Sequence, residues 1–199
     1  MEPQLVRAGA KNPESVHTQL RRWSNKGKLV KLARGKYVIA KPYRKRELPV
    51  EYLANQIVYP SYLSLEYALD YHNLIPETAQ IVTSLTTARP QQHENPEGRF
   101  HYRHVKEQMF WGYYSEALNG LEIVLAEPEK ALLDTFYFWS GPVTHERIEG
   151  LRLQNLDKID PQTFSDFAER TGSKKLLEGS RKLLEFRTDF LEEYDLNER

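Results

Sequence analysis

The chain of 199 residues contains no cysteine. That excludes a disulfide framework, a thiolate metal centre and a cysteine nucleophile. No run approaches the roughly 18 consecutive apolar residues of a membrane span. The opening residues, MEPQLVRAGAKNPES, hold no continuous apolar stretch, so no secretory signal is expected. A soluble cytoplasmic protein with no membrane partner is the expectation from these absences. The signatures of common chemistries are missing as well. "ARGK" has a Gly-Lys pair but lacks the spaced first glycine of a phosphate-binding loop, and there is no HExxH. His101 and His104 fall on opposite faces of an expected strand, which makes them poor joint metal ligands. In "TGSKKLLEGS" no Asp-x-Asp follows the Gly-Ser. Glu127, Glu129 and Asp134 cluster in sequence; the first two read as carboxylates that complement a helix N-terminus. No enzyme, catalytic residue, metal site or cofactor is expected.

The chain also lacks net charge, with 28 basic and 28 acidic side chains. That balance hides a split. Residues 1–46 carry thirteen Lys and Arg against Glu2 and Glu14, a net charge of +11. The other 153 residues carry fifteen against twenty-six, a net charge of −11. Such asymmetry suggests a nucleic-acid-binding piece joined to an unlike one.

Local patterns place that charge on a scaffold. Asn12-Pro13 marks a helix start: asparagine caps free backbone N–H groups, and proline at the first helical position loses nothing by lacking its own. Glu14 complements the positive helix end. The helix is expected to run to about Lys26 and to close at Gly27. Val16, Leu20 and Trp23 form one apolar stripe, and the opposite face carries Ser15, Thr18, Arg21 and Arg22. After Gly27 the period becomes two. "KLVKLA" and "KYVIA" read as short strands joined at Arg34-Gly35, a basic β-hairpin.

A polar-faced helix followed by a basic hairpin is the second half of a winged helix-turn-helix. A helix roughly 10–12 Å across fits the major groove and presents its outward side chains to base edges. Ser15, His17, Thr18, Arg21 and Arg22 are therefore the candidate base readers, with His17 on the flank. Lys26, Lys28, Lys31, Arg34 and Lys36 are the candidate phosphate contacts. A complete module has two helices before the reading helix, and only one short helix, at 3–10, fits here. Either the first helix is absent, the chain begins late, or another segment substitutes.

The expected domains are a winged helix-turn-helix over 1–41, a linker over 42–48 and a mixed α/β domain over 49–199, an α+β fold class. In the second domain, 49–57 and 64–74 read as helices, and 80–87, 99–106 and 121–126 as strands. A helix is expected over 127–139, and two more at about 161–171 and 173–188. The polar stretch 87–99 reads as a long loop. Arg99, His101 and Arg103 share one strand face; Lys174, Lys175, Arg181 and Lys182 share one side of a helix. Arg99, Arg103, Lys174 and Lys175 are candidate secondary DNA contacts.

Four segments carry a family likeness: "LVRAGAKNPESVHTQLRRWSNKGKLVKLARGKYVIA", "YPSYLSLEYALDYHNLIPE", "VTSLTTARP" and "AEPEKALLDTFYF". In order and spacing they resemble the AbiEi antitoxin family over most of residues 4–139; the last 60 residues match less clearly. The resemblance implies an N-terminal winged helix, a C-terminal antitoxin domain and autorepression of a bicistronic operon through inverted repeats. It implies a type IV toxin-antitoxin system whose toxin is a nucleotidyltransferase that the antitoxin need not bind. Two protomers on two half-sites would follow. The alternatives are a protein-interaction module that uses the acidic C-terminal part, including "DFLEEYDLNER", and an orphan DNA-binding regulator without a toxin.

Overall fold

The computed structural model describes residues 13–197, with side chains over 16–192. Asn12, the segment 3–10 and the side chain of Ser15 lie outside these. Helix α1 spans Pro13–Asn25. It stops as its sequence dictates. The Gly27 amide donates to Ser24 O (2.9 Å), the Lys28 amide to Trp23 O (2.9 Å), and Gly27 takes φ +68°. Those two bonds are a Schellman closure, which needs the left-handed conformation that glycine adopts without Cβ strain.

The hairpin follows at once. Strand β1 (Leu29–Ala33) pairs antiparallel with β2 (Lys36–Ile39). The register shifts between Lys31 and Ala33, so Leu32 is an extra residue. A bulge of this kind bends the strand and re-aims a side chain. Here the re-aimed side chain is Leu32, which is 7% exposed and belongs to the main hydrophobic core. Val30, Ala33 and Val38 pack against that core too. The hairpin is therefore seated on the rest of the protein.

The remaining strands are β3 (Tyr62–Leu63), β4 (Val82–Thr86), β5 (Gln91–Asn95), β6 (Gly98–His104), β7 (Tyr113–Leu118) and β8 (Leu121–Ala126). They form one mixed sheet in the order β5-β6-β4-β3-β8-β7. Pairs β4–β6 and β3–β8 are parallel; β3–β4, β5–β6 and β7–β8 are antiparallel. The helices are α2 (Val50–Ile57), α3 (Leu65–Tyr71), α4 (Pro128–Phe138), α5 (His145–Glu149), α6 (Pro161–Arg170) and α7 (Lys174–Asn197). Neighbouring residues of a strand point to opposite faces. Tyr102 donates its hydroxyl to Ala54 O of α2 (2.7 Å), whereas the Arg103 guanidinium lies 3.8 Å from the centre of the Phe138 ring of α4. So α2 covers one face and α4 the other, with α3, α6 and α7 packed around α4.

A mixed α+β chain is what composition and periodicity lead one to expect, and the structure is one; its six-stranded sheet goes beyond the three strands expected over 80–87, 99–106 and 121–126. Several details differ. The stretch 87–99 is not a plain loop: it holds β5, hairpinned onto β6. Its residues QQHEN are polar because β5 is an edge strand with largely exposed side chains, so it carries no apolar alternation. Strands β3 and β7 and helix α5 have no counterpart among the expected elements. The expected helix over 64–74 is shorter, ending where Asn73 turns left-handed at φ 57°. The expected helix over 173–188 continues to Asn197. Segment 42–48 is ordered: a 3-10 turn at Lys41–Tyr43 leads to Arg44, whose guanidinium grips Glu97 at 2.5 and 3.1 Å.

Candidate nucleic-acid interface

Helix α1 sets its residues by period. Val16, Leu20 and Trp23 are half-buried on one side, and α1 rests against β1. His17, Thr18, Arg21 and Arg22 are exposed on the other. Residues four apart on a helix are neighbours, so His17–Arg21 and Thr18–Arg22 form two adjacent rows. That patch combines two guanidinium forks, a hydroxyl and an imidazole, the donor and acceptor set that reads base edges. Arg21 and Arg22 sit in the last turn or next to it, where cations also oppose the negative end of the helix dipole.

Lys26, Lys28, Lys31 and Arg34 are exposed along the end of α1 and the hairpin. Lys31 stands directly opposite Tyr37 in the ladder, and Arg34 sits at the tip. Lys36 is a different case. Its ammonium donates to Gln56 O (2.7 Å) and Ile57 O (2.8 Å), the free carbonyls at the end of α2. Those carbonyls have no intrahelical partner, and a lysine there both bonds them and balances the dipole. Burial holds the Lys36 amine below its ordinary value. Lys36 thus ties the hairpin to the end of α2, and two of its three N–H donors are engaged before any phosphate arrives.

The secondary candidates lie on β6 and α7. Arg99 is exposed, but Glu94 stands opposite it across β5–β6. Arg103 lies over Phe138 and borders a groove of about 810 Å³ with His101, Thr83 and Glu66. Lys174 is exposed beside Glu178, at 4.0 Å. Lys175 repeats the device of Lys36: it donates to Tyr137 O (3.3 Å) and Trp139 O (2.5 Å) at the end of α4. Burial, and next the Arg147 charge, lower its affinity for protons. Arg103 and Lys175 are thus engaged with a ring and with backbone carbonyls, and Arg99 and Lys174 each have a carboxylate as neighbour.

Two constellations escaped sequence reasoning. Lys130 and Asp134, one turn apart on α4, form a fully buried ion pair. Tyr62 (3.1 Å) and Ser64 (2.8 Å) also donate to the Asp134 carboxylate, and Lys130 donates to the Tyr62 hydroxyl (2.9 Å). Burial pushes Asp134 up and Lys130 down, each against the pull of its partner. The signal available was the i,i+4 spacing, which a surface pair shows equally. Glu129 differs from its reading too. It is buried, and its Oε1 accepts from the Asp160 amide (2.8 Å), so it fixes a distant turn rather than only facing the helix end. The second missed feature is a cleft of about 400 Å³ between the basic 41–46 segment and Leu48, Val50, Leu53 and Glu97.

His101 and His104 lie on opposite faces of β6, as strand geometry requires. Among the described residues no three His, Asp or Glu side chains gather as a metal site, and no helix is long and apolar enough to cross a membrane. No protein-family model matches the chain, and no curated protein matches it.

Proposed function

We propose that the chain is a sequence-specific binder of double-stranded DNA that represses its own operon and acts as the antitoxin of a type IV system. The observation that carries the DNA reading is the exposed face of α1. His17, Thr18, Arg21 and Arg22 stand together in solvent, next to the exposed cations Lys26, Lys28, Lys31 and Arg34. A helix presenting hydrogen-bonding side chains beside a cationic hairpin matches groove reading plus phosphate neutralisation. In this proposal α1 and β1–β2 are the reading helix and wing of a winged helix-turn-helix. Two protomers would sit on the half-sites of an inverted repeat. The antitoxin role, and a nucleotidyltransferase toxin that need not touch this chain, rest on the family resemblance alone.

The test is a titration of the promoter duplex against a scrambled duplex at about 150 mM salt, where specific binding exceeds non-specific binding by on the order of 10³-fold or more. Equal affinity for both would end the repressor reading. Roles separate further. Arg22→Ala is expected to cost about 1–3 kcal/mol on the operator and to relax preference at one position. Lys31→Ala is expected to weaken all sequences alike and to lower the salt slope by about one. For the antitoxin role, co-expression with the product of the adjacent reading frame should restore growth that this product alone arrests; unrelieved toxicity would remove that role.

A further inference from the structure

The stretch KPYRKR, 41–46, is too basic and too well held to be a passive connector. It begins beside the hairpin root, where the Ala40 amide donates to Lys28 O (3.0 Å). A 3-10 turn follows, closed by Tyr43 N to Ala40 O (2.9 Å) and Arg44 N to Lys41 O (3.2 Å). Arg44 then pins the segment on two sides. Its Nε donates to Ile39 O (2.5 Å), and its two terminal nitrogens meet both oxygens of Glu97. The side chains of that pair are only 7% and 4% exposed. A bidentate, nearly dry ion pair is a firm anchor.

Arg44 is thus consumed by anchoring, and its neighbours are not. Lys41, Lys45 and Arg46 are exposed and rim one cleft of about 400 Å³, over a floor of Leu48, Val50 and Leu53. Once Arg44 and Glu97 cancel, Glu47 is the one carboxylate left on the lining against those three cations. The three are strung along the chain and continue from Lys28, the root of the hairpin. Their backbone is already ordered, so little entropy is lost when they engage a ligand.

We propose that Lys41, Lys45 and Arg46 form a second phosphate-binding strip, which extends the contact of α1 and the hairpin along the backbone of the same duplex. The strip rests on the DNA-binding reading of α1 and adds to it a contact by the inter-domain segment. It positions the protein and reads no bases, since a lysine or arginine on a phosphate carries no sequence information.

The test uses the full chain, the duplex upstream of its reading frame and a random duplex of equal length. Dissociation constants are measured by anisotropy from about 50 to about 300 mM salt. Each phosphate neutralised contributes about 0.9 to the slope of log K against log salt, so Lys41→Gln/Lys45→Gln/Arg46→Gln is expected to lower that slope by about 2–3 on both duplexes. The single Lys45→Gln should remove about one third of the effect. The ratio between promoter and random duplex should stay as in the wild type. A control, Arg89→Gln/Lys106→Gln/Arg152→Gln, removes equal charge from exposed positions elsewhere. Its slope should match the wild type. An unchanged slope in the first triple variant, or an equal loss in the control, overturns the strip. Failure of the wild type to bind either duplex defeats instead the reading of α1 on which it rests.

Discussion

Lys130 and Asp134 show how single residues hold this molecule. Both side chains are fully buried, and each oxygen of Asp134 has a donor. Desolvation of two charges is expensive, and satisfied hydrogen bonds are what make such a pair tolerable. Asp134→Ala strands the ammonium and is expected to destabilise the fold by about 3–5 kcal/mol in urea unfolding. The double variant Lys130→Met/Asp134→Leu removes both charges and should recover a large part of that loss. His72 gives a pH dependence. Its Nε2 donates to Ala126 O (2.8 Å), and burial holds the ring below its usual 6.5. The unfolded chain therefore takes up the proton first. The stability contributed by His72 is present above about pH 6.5 and is lost as pH falls through the lower folded value. Urea midpoints across that window should slope less in His72→Gln than in the wild type; equal slopes would show that His72 does not carry the effect.

The hairpin is the element on which the candidate interface turns. It is held from beneath by Leu32 and from the side by Lys36. Truncating a buried leucine costs about 2–5 kcal/mol. Leu32→Ala is therefore expected to speed amide exchange across β1 and β2 while amides in α4 keep their protection. Uniform loss of protection would mean that the hairpin has no opening of its own. Glycines separate two kinds of constraint. Gly27 sits at φ +68° with nothing within 4 Å of an added Cβ, so Gly27→Ala should cost only the left-handed strain, roughly 1–2 kcal/mol. Gly112 also has positive φ, and an added Cβ would lie 2.9 Å from Lys130 Cγ. Gly112→Ala should cost more, because the neighbour it strikes is locked in the buried ion pair. The helical stripe of α1 and the alternation of its hairpin were legible because both signals are local. Strand β5 was not, since an exposed polar edge has no apolar face to betray it.

Across the whole molecule, a basic N-terminal part of +11 is fastened to an acidic remainder of −11. The fastening is made of Leu32 in the shared core, Lys36 on the end of α2, and Arg44 on Glu97. With apolar, hydrogen-bonded and ionic contacts across the junction, calorimetry should show one unfolding transition. Glu97→Ala leaves the Arg44 guanidinium nearly buried without its partner, and is expected to lower the melting temperature and to separate an earlier transition of the N-terminal part. A single, unshifted transition would mean that the ion pair does not fasten the parts.

The sequence by itself determined the charge split, the exposed polar face of α1, the Gly27 stop, the hairpin and most of the apolar strands. Each follows from residues within about one or two turns or strand lengths of one another. Only the tertiary structure decided which cations remain free. Lys28, Lys31 and Lys36 look equivalent along the chain, yet Lys36 meets a carbonyl 21 residues away. Arg44 and Lys45 are adjacent, yet one is spent on a carboxylate 53 residues away and the other faces solvent. Whether a cation faces water or a helix end depends on where distant backbone arrives, and no local period encodes that.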